Sequence, residues 1–348
     1  MARTTAKITL SRVKNFSELN APTEKEGNEI FKQKTRELWT DLTIHGILKE
    51  NPEKNGYIVL PKGDLDGESC LYLLRQAGID TSNVSYVAPG GYNEGSINMD
   101  TSNRDGTTAD LEDPTAFIDH HGKGSKNDTS AAEGVYNSLM SIEMLEKRDD
   151  LDQLVNFVNI CDNALYPEDP KAFTESSRTL LGLQQKMLPQ KIAQMIKDGI
   201  DPLVPLTEDQ IIKYKLTKAS QDQEKTIKSS LEVMKELEEN GCIIDSPRYG
   251  KIVVDIGGKL RGKFFAVRTL GYDSYLIWNQ RENSFFFSSK SDITDQFPQG
   301  KPIRNTMWMK SRTDKDPLTL TPYQFLAQAT DGTFSSTPEF QARLKALS

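Results

Sequence analysis

Two of the chain's three histidines stand side by side in Asp119-His120-His121, directly after the apolar, part-aromatic run Thr115 to Ile118. That run reads as the end of a buried strand, and Gly122, Lys123 and Gly124 break the pattern behind it. At a strand end that leaves into a loop, both imidazoles can turn toward one face. One can then bind a metal while the other meets a substrate phosphate. Acids stand at three other strand ends: Asp64 and Asp66 after Tyr57 to Pro61, Asp100 closing Ser96 to Asp100, and Asp162 after Leu151 to Ile160. Carboxylates gathered at one sheet edge repel unless cations neutralise them. A pair of divalent ions about 3.5–4 Å apart would do that and would activate a water for attack on phosphorus. Asp64 and Asp66 alternate by two, so both can point to one side of the chain. Gly67 permits a close turn into a helix, whose exposed N–H groups favour anions.

The elements that must position these residues alternate. Tyr57 to Pro61, Val84 to Pro89, Ser96 to Asp100 and Ala116 to Ile118 read as strands, with helices over Cys70 to Gly78 and Ser130 to Glu146. Strand–helix alternation of this kind predicts an α/β, doubly wound, mainly parallel sheet, with ligands at the carboxyl ends of its strands. Residues 1–53 read as an N-terminal helical extension, in which His45 is a packing or surface histidine. Residues 54–168 form the expected catalytic domain, and 169–241 a helical connector. In the connector, Pro189 to Lys197 and Thr207 to Asn240 are helical, the latter starting on a Thr207/Gln210 capping box and stopping at Gly241. Residues 242–348 read as a smaller, strand-rich α+β domain with strands over Lys251 to Ile256, Phe264 to Leu270, Tyr275 to Trp278 and Ser284 to Ser288. Its loop Gly257-Gly258-Lys259-Leu260-Arg261-Gly262-Lys263 is basic and flexible enough to hold phosphate.

Composition narrows the class. A net charge of −7 over 348 residues excludes a polycation built to coat nucleic acid. Three widely spaced cysteines make neither a disulfide framework nor a zinc-ligand pair, which fits a reducing, cytoplasmic setting. Any metal site is therefore rich in oxygen and nitrogen, suiting Mn²⁺ or Mg²⁺. Met1 to Val13 does not read as a signal peptide, and no apolar run is long enough to span a bilayer, so no membrane association is expected.

Taken in order, these motifs resemble those of the DHH phosphoesterase superfamily. That group includes single-strand exonucleases, oligonucleotide and cyclic-dinucleotide phosphodiesterases, exopolyphosphatases and manganese pyrophosphatases. Asp64-Leu65-Asp66-Gly67 is similar to its first motif, and Tyr86-Val87-Ala88-Pro89 with Glu94-Gly95 to the segment leading to a second-motif aspartate at Asp100. Asp119-His120-His121 resembles the name-giving third motif, and Ile160-Cys161-Asp162-Asn163 the fourth. The resemblance implies that Asp64, Asp66, Asp100, His120 and Asp162 bind metal, that His121 contacts substrate phosphate and that Asp119 orients the site. Two features depart from the pattern. Leu60 stands where many members carry a histidine, leaving one metal a ligand short, and no histidine follows His121 to complete the usual C-terminal glycine-rich motif.

The resulting expectation is a two-metal phosphoesterase cleaving short single-stranded oligonucleotides or cyclic dinucleotides. His121 and Asp119 form its catalytic pair, two Mn²⁺ or Mg²⁺ ions are its cofactors, and Lys62, Lys259, Arg261 and Lys263 bind substrate. Phe264, Phe265, Tyr272, Tyr275 and Trp278 are candidates for stacking bases, core packing being the alternative. Two other functions remain open: polyphosphate or pyrophosphate hydrolysis, and non-catalytic nucleotide or nucleic-acid binding on the same scaffold. The expected partner is a phosphate-containing nucleotide or oligonucleotide, and a homodimer is admitted.

Overall fold

The computed structural model describes residues 58–61, 63–82, 84–88, 90–101, 107–109, 115–120, 129–163, 183, 188–260, 266–267, 270–279, 284–289, 301–304, 307–310 and 321–347. The N-terminal extension with His45, together with Lys62, His121, Arg261, Lys263, Phe264 and Phe265, lies outside them. The chain divides into two compact units: Met1–Asp162 with Ile192–Leu203, and Asn163–Lys191 with Val204–Ser348.

The first unit is built on β1 (Ile58–Pro61), α1 (Leu65–Gln76), β2 (Val84–Val87), β3 (Ile97–Met99), β4 (Thr107–Ala109), β5 (Ala116–Ile118), α2 (Ala131–Ser141) and α3 (Asp149–Asp162). Its sheet runs β2-β1-β3-β5-β4. β2, β1, β3 and β5 are parallel, with Pro61 opposite Val87 and Met99 opposite Ile118, and β4 is an antiparallel edge. The strands end together at one edge, and the order reverses about β1, the kind of switch point where α/β sheets open a ligand crevice. Buried Leu60, Ile97, Met99, Phe117 and Ile118 fill the sheet's core, and α1, α2 and α3 pack on one another. The α/β expectation with a mainly parallel sheet holds.

Two local readings change. Leu65 to Ser69 join the helix placed at Cys70, because Asp64 caps it: its Oδ1 accepts the Gly67 N–H at 2.9 Å. Asp64 and Asp66 are consequently not alternating neighbours on an extended chain. The run ending in Asp162 is helix α3 rather than a strand, with Leu151, Leu154, Val155, Phe157 and Val158 buried at helical spacing.

In the second unit, helices α4 (Pro189–Lys197), α5 (Glu208–Lys213) and α6 (Leu216–Glu239) come first, α4 passing into the first unit at Ile192. The Thr207/Gln210 capping box is present, but the single long helix breaks at Lys215, whose φ is +52°. A six-stranded sheet follows, in the order β10-β11-β9-β8-β7-β6. Its strands are β6 (Ile243–Ser246), β7 (Gly250–Ile256), β8 (Ser274–Asn279), β9 (Ser284–Ser289), β10 (Lys301–Arg304) and β11 (Met307–Lys310). β7 and β8 are parallel and the other pairs antiparallel. The predicted strand Phe264 to Leu270 does not hold at its described residues: Ala266 and Val267, in the crossover that the parallel pair needs, are helical and buried. Helices α7 (Pro322–Ala329) and α8 (Pro338–Lys345) add Phe325, Leu326 and Phe340 to this core. Tyr272, Tyr275 and Trp278 are core residues too, Tyr275 stacking on Phe286 and Trp278 on Phe285. They are therefore not available to stack bases.

Among the described residues, no helix is long and apolar enough to cross a membrane.

Candidate metal centre

Four elements of the first unit deliver polar side chains to the carboxyl edge of its sheet. His120 follows β5, and its Nε2 stands 3.1 Å from Asp162 Oδ2, 3.3 Å from Asp66 Oδ2 and 3.7 Å from Asp100 Oδ1. Asp66, His120 and Asp162 each offer a ligand atom within 4.8 Å of the others. Asp66, Asp100 and His120 are buried, and Asp162 is half-buried.

Each of these side chains is fixed by its backbone. Asp66 lies in the first turn of α1 and faces the start of α2, where the Ala131 and Ala132 N–H groups donate to its Oδ2 and Oδ1 at 2.8 and 2.7 Å. Oδ2 also stands 3.3 Å from the imidazole. Ser130 caps α2 by accepting the Glu133 N–H at 3.2 Å. Asn159 of α3 accepts from the Ser130 hydroxyl and donates to Glu133 Oε2 at 2.8 Å. This ties α3 to α2 one turn before Asp162. Asp100 follows β3 at φ +51°, a left-handed conformation that aspartate tolerates and β-branched residues do not. Its N–H still donates to Ile118 O at 3.0 Å, continuing the β3–β5 ladder. Asp119 Oδ1 accepts the His120 N–H at 2.8 Å, which sets the angle at which the chain presents the imidazole.

Burial pushes the Asp66 carboxyl well above the usual carboxylate range, and the charges of Asp100 and Asp162 push it further, against relief from His120 and the Ala132 N–H. Like charges about 4 Å apart cost about 4 kcal/mol at a protein-like dielectric, more than one charge-assisted hydrogen bond returns (about 1.5–3 kcal/mol). The group thus calls for a proton or a cation. Three carboxylates and one imidazole form a hard, mixed oxygen–nitrogen set, and a divalent ion fits it.

Of the residues predicted for the site, Asp66, Asp100, His120 and Asp162 meet here, with Asp119 directly behind His120. Asp64 does not join them: it is exposed and caps α1. Lys259 belongs to the second unit, where its ammonium pairs with Glu236. Lys62, His121, Arg261 and Lys263 are outside the described residues. Sequence reasoning passed over Ser130, Glu133 and Asn159. Ser130-Ala131-Ala132-Glu133 carried a readable capping-box signal, but nothing marked Asn159 as its partner.

No family model and no curated protein matches the sequence. Among solved structures, the chain is similar to a pGpG-specific phosphodiesterase, PggH, from Vibrio cholerae. The two are 14% identical over 84% of this chain and all of that one, with a TM-score of 0.40.

Proposed function

We propose that the protein is a divalent-metal-dependent phosphoesterase that hydrolyses phosphodiester bonds in short oligonucleotides or cyclic dinucleotides. The observation that carries this reading is the convergence of Asp66, Asp100, His120 and Asp162 at the carboxyl edge of one parallel sheet, with His120 Nε2 within 3.7 Å of all three carboxylates. Mn²⁺ or Mg²⁺, held by these four side chains, would supply the positive charge that polarises a phosphoryl oxygen and acidifies a water. The chain's own part is placement. The α2 N–H groups stop Asp66 from turning away, and Asn159 sets α3 so that Asp162 closes the group. His120 contributes a nitrogen ligand among oxygens. The chemistry would run at the sheet edge.

In the same proposal Asp119 and His121 orient and contact the reacting phosphate. Lys62, Lys259, Arg261 and Lys263 grip the rest of the substrate. The setting is cytoplasmic. One assay tests the reading: bis-p-nitrophenyl phosphate, short oligonucleotides, cyclic dinucleotides, pyrophosphate and polyphosphate, each with Mn²⁺ and with chelator. Metal-dependent cleavage of the diesters supports it. Cleavage of pyrophosphate or polyphosphate alone replaces it with phosphoanhydride hydrolysis, and tight nucleotide binding with no turnover replaces it with a binding role.

A further inference from the structure

We propose that Asn98 is a positioning residue for Asp100: its side-chain amide clamps the loop 90–95 along β3, and that loop holds the backbone that aims the Asp100 carboxylate at His120. The inference rests on the metal-centre reading above.

Asp100 is buried just past the end of β3 with φ at +51°. A residue other than glycine keeps such a backbone only where its surroundings over-determine it. One restraint comes from β5, where Ile118 O accepts the Asp100 N–H at 3.0 Å. That bond fixes the peptide before Asp100 and not the one after it. The second restraint comes from the loop. The Gly90 N–H donates to Thr101 O at 2.5 Å, so the residue after Asp100 is tied as well. Between the two ties the carboxylate stands 3.7 Å from His120 Nε2.

The loop must itself be held to do this. It passes from β2 to β3, and β1 lies between those strands in the sheet. Gly90 meets Thr101 beyond the carboxyl end of β3, whereas the Gly95 N–H donates at 2.8 Å to Thr115 Oγ1, just before β5 begins. Between these ends Asn98 engages both backbone groups of Asn93. Its Oδ1 accepts the Asn93 N–H at 2.8 Å, and its Nδ2 donates to Asn93 O at 3.0 Å. Ser96 O and Ala116 O lie 3.3 and 3.4 Å from the same Nδ2, so one amide joins the loop to β3 and β5. Tyr92 adds a ring contact with Phe117, centroids 5.6 Å apart.

Asn98 is fully buried between Ile97 and Met99. An amide there is costly unless it is paired, and an apolar residue would serve the strand better. What the amide serves is the loop. The loop fits closely at its near end too: a Cβ on Gly91 would lie 3.0 Å from Ala88 O and 3.2 Å from Val87 Cβ.

The test is Mn²⁺ affinity of the full chain by calorimetry, with the visible absorption of the Co²⁺-loaded protein recorded alongside. Asn98→Ala should weaken Mn²⁺ binding about tenfold or more, as losing a residue that orients a ligand does, and should alter the Co²⁺ bands. Gly91→Ala leaves β3 intact but lifts the loop, so it should weaken binding and alter the same bands. Ile79→Ala removes a buried side chain just past the end of α1 opposite Asp66. It should lower the melting temperature and leave both readouts as in wild type. If Asn98→Ala does not fold, Gly91→Ala decides alone. Unchanged affinity and spectrum in either folded loop variant overturns the proposal and leaves Asn98 an anchor of the loop only. An equal loss in Ile79→Ala overturns it as well, since metal binding would then follow overall stability. Wild type that binds neither ion would overturn the metal-centre reading, and this proposal with it.

Discussion

Each unit buries an aspartate at the end of a strand or the start of a helix, and their surroundings differ. Asp255, in β7, is fully buried and alone. Its Oδ2 accepts the Leu260 N–H at 2.6 Å, and the N–H groups of Lys259 and Gly258 also lower its proton affinity. Burial still leaves its carboxyl above the usual range. Asp66 is as deeply buried, and it too receives backbone N–H groups, but Asp100 and Asp162 stand against it. One carboxylate has a backbone N–H on Oδ2 and the Lys259 charge to relieve it, with no like charge against it. The other is left with like charges that only a proton or a cation can answer. The first arrangement stabilises a turn. The second costs stability unless something binds, and that marks it as a site.

The largest effect expected from this contrast is on turnover. His120→Ala and Asp100→Asn should each lower kcat by more than about a hundredfold, the upper range for losing a residue that merely orients a ligand. Both should stay folded by circular dichroism, and near-normal kcat with normal metal content in either would break the comparison. Asp255→Ala should act on stability instead. It strands the buried Leu260 N–H and should cost about 1–3 kcal/mol in urea unfolding without changing metal stoichiometry. A loss of bound metal in that variant would mean that the two aspartates are not different in kind.

The pH dependence separates them more finely. A carboxyl whose proton affinity is raised by folding contributes stability that is complete below the ordinary aspartate value of 3.8 and is lost as pH rises through the folded value. The metal-free protein should therefore melt at lower temperature as pH rises above about 4, and Mn²⁺ should remove most of that slope by taking the proton's place at Asp66. Asp255→Asn should keep the metal-sensitive part of the slope and Asp66→Asn should lose it, which differential scanning fluorimetry can follow. The smallest effect concerns Lys259, whose exposed pair with Glu236 is worth less than about 1 kcal/mol. Lys259→Ala should leave the melting temperature within a degree or two and raise KM for an oligonucleotide. An unchanged KM would make the basic loop a structural turn.

Much of the first unit was legible because its strands are short apolar runs that end in acids, and its helices carry caps. The motif-bearing acids were visible for that reason. What the sequence hid was the state of the backbone around them. Asp64 and Asp66 look like alternating positions until the Asp64 cap starts the helix one residue later. The run before Asp162 is apolar enough for either period, and only its length of 14 residues favours helix. The second unit was harder, because strands such as Ile243–Ser246 and Met307–Lys310 are too short to stand out. Ala266 and Val267 owe their helical state to the parallel pairing of β7 with β8, a long-range fact that no local window contains.

The most direct measurement is a titration of metal-stripped protein with Mn²⁺, following bound metal by calorimetry and cleavage of bis-p-nitrophenyl phosphate on the same samples. Activity should appear in step with occupancy in wild type, and His120→Ala should show neither tight binding nor turnover. Full cleavage by the stripped protein in chelator, or tight Mn²⁺ binding undiminished in His120→Ala, would contradict the assignment of Asp66, Asp100, His120 and Asp162 as the metal centre.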